Sequence, residues 1–234
     1  MCVPHHLHEE YATAVMRSRR HLLLEKPIAH TMASAKRIVQ VAATEGHDKA
    51  CMLAEQMEYL PVLANVKRLV GTTKHIRYVF TEHNRFRPAG WRTQLECAGG
   101  GVLLDLGIHY VSFAVKAFGP IASHRKEVRS LIPGTDIPAS ERLSIRHVNG
   151  TEGEVDVAWA QENAVTSMDV MTATTTFTYR PGQRTARLGM VPQLVSLRSA
   201  NGRLQMMKEY LSRCDGTRTV HDIADALRVL AAVL

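Results

Sequence analysis

Cysteine is scarce in this 234-residue chain, and its four cysteines, Cys2, Cys51, Cys97 and Cys214, stand far apart with no C-x-x-C pair. Such spacing argues against a zinc site or a disulfide framework and suits a reducing compartment. Aromatics are also few, at 6% of residues. The densest basic cluster, Arg17, Arg19 and Arg20, has no aromatic residue between its members, so the net charge of +7 comes without a nucleic-acid motif. A solvated helix end explains that cluster. No apolar run approaches about 18 residues without a charge, so no membrane-crossing helix is expected. Met1-Cys2-Val3-Pro4-His5-His6 lacks the basic-then-apolar pattern of a secretory signal. The expectation is a soluble, cytoplasmic protein with neither nucleic acid nor membrane as a partner.

What is present is ordinary globular composition, 45% apolar and 22% charged, arranged in two different patterns. In the first part, a helical pattern from Glu9 to Arg19 places Tyr11, Ala14 and Val15 on one side. Leu22-Leu23-Leu24 follows as a short all-apolar strand ended by Glu25-Lys26-Pro27. Thr31 caps a helix carrying Ile38, Val39 and Ala42 and closing at Gly46, and Ala50–Ala54 is a second buried strand. Helix–strand–helix–strand is the order of a doubly wound parallel sheet. A helix from Leu60-Pro61 to Gly71 comes next.

From Lys74 onward the runs alternate. Ile76, Tyr78 and Phe80 oppose Arg77, Val79 and Thr81; Leu143 and Ile145 oppose Arg142, Ser144 and Arg146; Val155, Val157 and Trp159 oppose Glu154 and Asp156. Phe177 and Tyr179 precede a turn at Arg180-Pro181-Gly182-Gln183. A mainly antiparallel sheet with one polar face is expected there. Two helices close the chain, the last capped by Thr219-Val220-His221-Asp222 and carrying Ile223, Leu227, Leu230 and Leu234. It ends without a C-cap, as in a chain cut short.

Between these patterns lies Gly99-Gly100-Gly101 and an apolar run to Phe118, interrupted only by Asp105, His109, Ser112 and Lys116. Their spacing, i, i+4, i+7 and i+11, puts all four on one stripe of a helix buried all round. Such a stripe is either a satisfied polar seam or a reactive face. Gly107 inside the helix marks a close approach by another group. Lys26 stands at the carboxyl end of a parallel strand, where ligands collect in open α/β sheets. Lys, Asp and His together suit proton transfer beside hydride transfer. The imidazole, with a reference pKa of ~6.5, takes a hydroxyl proton, the aspartate orients it, and the lysine stabilises developing charge on oxygen. The early histidines His5, His6 and His8 lack a carboxylate or thiol at ligand spacing, so no metal site is expected.

Several of these motifs, in this order, resemble the NAD(P)-dependent oxidoreductases of the glucose–fructose oxidoreductase, inositol dehydrogenase and MocA type. Pro4-His5-His6-Leu7-His8 is similar to the family's P-N-x-x-H turn, with His5 in place of Asn. Leu24-Glu25-Lys26-Pro27-Ile28-Ala29 is similar to its EKP signature, and Glu55-Gln56-Met57-Glu58-Tyr59-Leu60-Pro61 to the crossing into its second domain, with Glu58 where arginine is common. Trp91-Arg92, the three glycines and Asp105-Leu106-Gly107-Ile108-His109 are similar to its GGG and D-x-G-x-H pattern.

The resemblance implies α/β plus α+β architecture. Residues 1–56 would be a truncated, partial Rossmann domain, doubly wound and parallel. Residues 57–234 would be a substrate and oligomerisation domain built on a mainly antiparallel open sheet with helices, which could support a homo-oligomer. It implies NAD or NADP as cofactor and a sugar, cyclitol or related polyol or carbonyl compound as small-molecule substrate. Lys26, Asp105 and His109 would be catalytic, Trp91 and Arg92 would meet the substrate, and Pro4, His8, Glu25, Lys26, Pro27 and Gln56 would line the cofactor. One family element is absent: no G-x-G-x-x-G turn occurs. That turn supplies backbone donors to the pyrophosphate, so the chain by itself is expected to bind a dinucleotide weakly or not at all. The absence leaves a second reading open, a non-catalytic binding or oligomerisation protein. A metal-dependent hydrolase using Asp105 and His109 lacks a third ligand.

Overall fold

A computed structural model describes residues 1–45, 49–71, 75–180, 185–188, 191–194, 202–216, 223 and 225–234. The expected helix end at Gly46, the strand start at Lys74, residues 181–183 of the turn and the cap at 219–222 lie outside the described residues.

The first sheet is small and parallel. After a 3-10 turn at His5–Leu7 come α1 (His8–Arg17), β1 (Leu22–Glu25), α2 (Met32–Thr44) and β2 (Cys51–Ala54). β1 and β2 pair from Leu22↔Cys51 to Glu25↔Ala54. Met1 flanks β1 on its other side, its N-terminus donating to Leu23 O and its carbonyl accepting from Glu25 N. Thr31 caps α2 as expected, its hydroxyl accepting from Ser34 N at 3.2 Å. The inward face of α1 differs from the expected one. It is His8, Ala12 and Met16, spaced by four, whereas Tyr11 and Ala14 are exposed. His8 can face inward because its one N–H has a carbonyl to meet, with Pro27 O 2.8 Å from Nδ1 and Val3 O 3.0 Å from Nε2. Counting only apolar side chains overlooks a histidine satisfied in this way.

Beyond β2, a 3-10 turn at Gln56–Tyr59 leads to α3 (Val62–Val70) and β3 (Arg77–His83). A four-residue helix, α4 (Leu95–Ala98), precedes the glycines. A π-helical turn at Leu103–Gly107 then opens α5 (Ile108–Phe118). The strands β4 (Ile121–Leu131), β5 (Pro138–His147), β6 (Glu152–Ala158), β7 (Val165–Met171), β8 (Thr176–Tyr179), β9 (Thr185–Leu188) and β10 (Val191–Leu194) follow. They join β3 in one sheet, ordered β10-β9-β8-β7-β3-β6-β5-β4. Every pairing is antiparallel except β3 with β6. Two helices, α6 (Gly202–Cys214) and α7 (Asp225–Val233), come last.

The core forms where α5 lies on this sheet. Tyr78 stacks on Phe118 with centroids 4.6 Å apart, and Phe80 meets Phe113 edge-on at 5.7 Å. A Cβ on Gly107 would come within 2.6 Å of Leu103 Cδ1 and 3.3 Å of Val157 Cγ2, so the glycine does mark a close approach. By length and composition the helical run Leu95–Phe118 could cross a membrane, but 67% of its most apolar window is buried inside the fold. It is the core helix. Asp156, expected on a polar face, is buried beneath Arg129, Arg142 and His83, which bond it at 2.7–3.0 Å.

Candidate active site

Two turns build the cleft. β1 delivers Lys26 at its carboxyl end, and the segment around the glycines delivers Asp105 opposite. Gly99 takes φ +78, and a Cβ on Gly101 would lie 2.2 Å from Pro138 O, so this segment presses against β5 where no side chain fits. Lys26 Nζ donates to the Asp105 carbonyl and to its Oδ1, the latter at 3.2 Å. Arg92 Nε stands 3.6 Å from Asp105 Oδ2, and His5 Nε2 stands 3.9 Å from Oδ1. Burial pushes the Asp105 carboxyl up, but Lys26, His5 and Arg92 together outweigh it and hold the group below the usual carboxylate range.

His5 is buried, and burial pushes its imidazole down to about 4. It is therefore neutral at neutral pH. Its Nδ1–H donates to Ala98 O at 3.0 Å, which leaves Nε2 bare toward Asp105. Its ring meets Trp91 edge-on at 4.5 Å, and the Arg92 guanidinium lies 4.4 Å from the Trp91 centroid. Together Cys2, Val3, Pro4, His5, His8, Glu25, Lys26, Trp91, Arg92 and Asp105 line a cleft of about 390 Å³.

The polar stripe on α5 does not work as one unit. Asp105 does not orient His109, which corrects the sequence-based expectation. His109 Nδ1 instead lies 2.7 and 2.8 Å from the two oxygens of Glu55, the residue after β2. An i, i+4 spacing sets two side chains on one face, but what each bonds depends on the group opposite. Lys26 stands opposite Asp105, and Glu55 opposite His109. One turn further on, Ser112 Oγ donates to Glu58 at 2.6 Å and Lys116 Nζ lies 3.4 Å from the same carboxylate. Burial pushes Glu58 up.

Of the residues expected at a site, the cleft gathers Pro4, His8, Glu25, Lys26, Trp91, Arg92 and Asp105. Pro27 is buried behind it, and its carbonyl holds His8. Gln56 turns away, its Oε1 accepting from Arg203 at 2.6 Å. Glu55 and the neutral state of His5 were not anticipated. Glu55 could have been found by the rule that exposed Lys26, since it too follows the carboxyl end of a parallel strand.

A nicotinamide dinucleotide would need oxygen-binding donors at one end and phosphate-binding amides at the other. The first end fits: Arg92 Nε is a buried donor with no acceptor in hydrogen-bond range among the described residues, beside the Lys26 ammonium. For the second, the sequence has no G-x-G-x-x-G turn.

Residues 1–53 match the model of an oxidoreductase family with an NAD-binding Rossmann fold, and residues 67–178 match the Gfo/Idh/MocA C-terminal domain. Levoglucosan dehydrogenase of Pseudarthrobacter phenanthrenivorans is 25% identical over 161 residues, 65% of this chain and 41% of that protein. The 1,5-anhydro-D-fructose reductase of Ensifer adhaerens is 30% identical over 118 residues, 44% of this chain and 32% of that one. The matched part thus spans less than half the length of either relative. A solved levoglucosan dehydrogenase, in complex with NADH and levoglucosan, superposes with a TM-score of 0.84 at 18% identity, covering 100% of this chain and 75% of that one.

Proposed function

The chain belongs to the Gfo/Idh/MocA oxidoreductases, and from that premise we propose that it carries the proton-handling and substrate-binding part of an NAD(P)-dependent dehydrogenase for a sugar, cyclitol or related polyol. The observation that carries this reading is the Lys26–Asp105 pair at the carboxyl end of β1, facing a cleft that also holds Arg92.

Oxidising a secondary alcohol removes a hydride from carbon and a proton from oxygen. The cofactor, when bound, accepts the hydride, and Pro4, His5 and Lys26 would border it. Lys26, fixed by Asp105, points its ammonium at the substrate oxygen and stabilises charge developing there. His109 takes the hydroxyl proton on Nε2. Trp91 and Arg92 hold the remaining hydroxyls, the ring as an apolar wall and the guanidinium as a donor fork.

The test is a titration of the purified protein with NADH and NADPH, followed by nicotinamide fluorescence, and then turnover on a panel of polyols. Cofactor binding by this chain is expected to be weak, and at cofactor concentrations that support turnover Lys26→Ala and His109→Ala should each lose ~100-fold or more. Turnover unchanged in both variants overturns the reading.

A further inference from the structure

His109 can act as a base only through a ring nitrogen that carries no hydrogen, and the partner of its other nitrogen decides which one that is. We propose that Glu55 is the positioning residue of His109: its carboxylate accepts the Nδ1–H and so leaves Nε2 as the bare nitrogen, the one free to take the hydroxyl proton. This rests on the reading that His109 handles the hydroxyl proton.

The geometry is specific. Glu55 is 3% exposed, and a carboxylate buried to that degree needs donors. Two reach it: Met57 N at 3.0 Å and His109 Nδ1 at 2.7 and 2.8 Å. An ionised carboxylate only accepts, so Nδ1 must carry the hydrogen. Among the described residues His109 is also the one ion-pair partner of Glu55. Positive charge that develops on the ring when Nε2 takes a proton is therefore met at once by a fixed, dry counter-charge. The two residues come from different layers, Glu55 from the end of β2 and His109 from α5. The pair thus registers the helix against the parallel sheet as well.

A staple and a positioning residue respond differently to Glu55→Gln. The amide has nearly the same volume and still hydrogen-bonds. Oε1 faces both Met57 N and Nδ1 whereas Oε2 faces Nδ1 alone, so the amide keeps its oxygen for Met57 N and sets its NH₂ group against Nδ1. The favourable answer is for His109 to shift its hydrogen to Nε2 and accept at Nδ1, which removes the base. Two-bond proton–nitrogen correlation on ¹⁵N-labelled protein without cofactor reads this directly, with the His109 signal identified by its loss in His109→Gln. Wild-type protein should show a protonated Nδ1 and a bare Nε2, and E55Q the reverse. In turnover, E55Q should lose ~100-fold in kcat with KM within about threefold, and Glu55→Asp should recover to within about tenfold of wild type.

A wild-type His109 protonated on Nε2 overturns the proposal without any activity measurement. So does an E55Q protein with full kcat in the same assay in which His109→Ala is slow. If His109→Ala is itself at full rate, the reading of His109 as the base falls first and takes this one with it. If E55Q does not fold, the wild-type tautomer and the E55D rate decide the matter.

Discussion

Lys26 and Asp105 are 79 residues apart in the chain and meet with Nζ 3.2 Å from Oδ1. Lys26 belongs to the end of the parallel sheet and Asp105 to the turn that opens the helix on the antiparallel one, so their pair ties the two layers together at the cleft. Asp105→Asn should leave the ammonium, 14% exposed, without its counter-charge. The expected cost is ~1–3 kcal/mol, below that of a fully buried pair because water still reaches one edge of the carboxylate. Urea midpoints of wild type and variant at neutral pH measure it. An unchanged midpoint would mean that the pair contributes nothing net to stability.

The same cluster sets two acid windows. His5 is held neutral, its imidazole pushed down to about 4 by burial. Between about 6.5 and 4 the unfolded chain therefore binds a proton that the folded one refuses, and stability must fall as pH drops through that range. Asp105 is opposed by burial but held low by Lys26, His5 and Arg92. Its contribution is complete above the unfolded carboxylate value of ~3.9 and is lost only below it. His5→Asn, the residue common in the resembling family, keeps a donor for Ala98 O and has no titrating group. It should flatten the loss between pH 6.5 and 4 by an amount on the order of 1–3 kcal/mol and narrow the lower window, which Lys26 and Arg92 then hold without His5. Thermal midpoints across pH 3–7 separate the two windows.

Much of this architecture was legible in the sequence because it rests on local rules. Leu22-Leu23-Leu24 and Cys51-Met52-Leu53 are short apolar runs that suit inner strands, although Leu23 and Leu53 end half-buried, and Thr31 announces its helix by its hydroxyl. The π-turn at Leu103–Gly107 was not legible, since nothing in a residue pattern distinguishes it from regular helix. Strand β4 was missed for a different reason. All but its first residue are exposed, so it carries no apolar alternation and exists through its pairing with β5. The partner of His109 was hidden by topology. Three carboxylates, Glu55, Glu58 and Asp105, come within reach of one helix face, and only the folded chain chooses among them.

Two glycines of the central segment should differ in what a methyl group costs. At Gly101 the added carbon would meet Pro138 O at 2.2 Å, a backbone atom that moves only with β5. At Gly107 the nearest atom, 2.6 Å away, is the end of the Leu103 side chain, which can rotate at the cost of repacking a fully buried site. Gly101→Ala should therefore destabilise by ~3 kcal/mol or more and Gly107→Ala by ~1–3 kcal/mol, offset in part by the better helix propensity of alanine. Equal losses would show that the Leu103 side chain cannot rotate away.

Arg92 offers the most direct probe of the substrate side. Its guanidinium lies 4.4 Å from the Trp91 centroid and 5.7 Å from that of Phe86. Among the described residues its Nε–H has no acceptor in range, with Asp105 Oδ2 beyond reach at 3.6 Å. A planar cation held between two rings with a spare donor is ready to bind oxygens of a bound polyol without further ordering. Arg92→Lys keeps the charge but loses both the plane and the fork. If Arg92 holds hydroxyls that do not react, it binds ground state and transition state alike, so KM should rise ~10-fold with kcat within about threefold. A fall in kcat at constant KM would instead place Arg92 at the reacting oxygen beside Lys26. Unchanged KM and kcat together would mean that the substrate does not reach the Trp91–Arg92 wall.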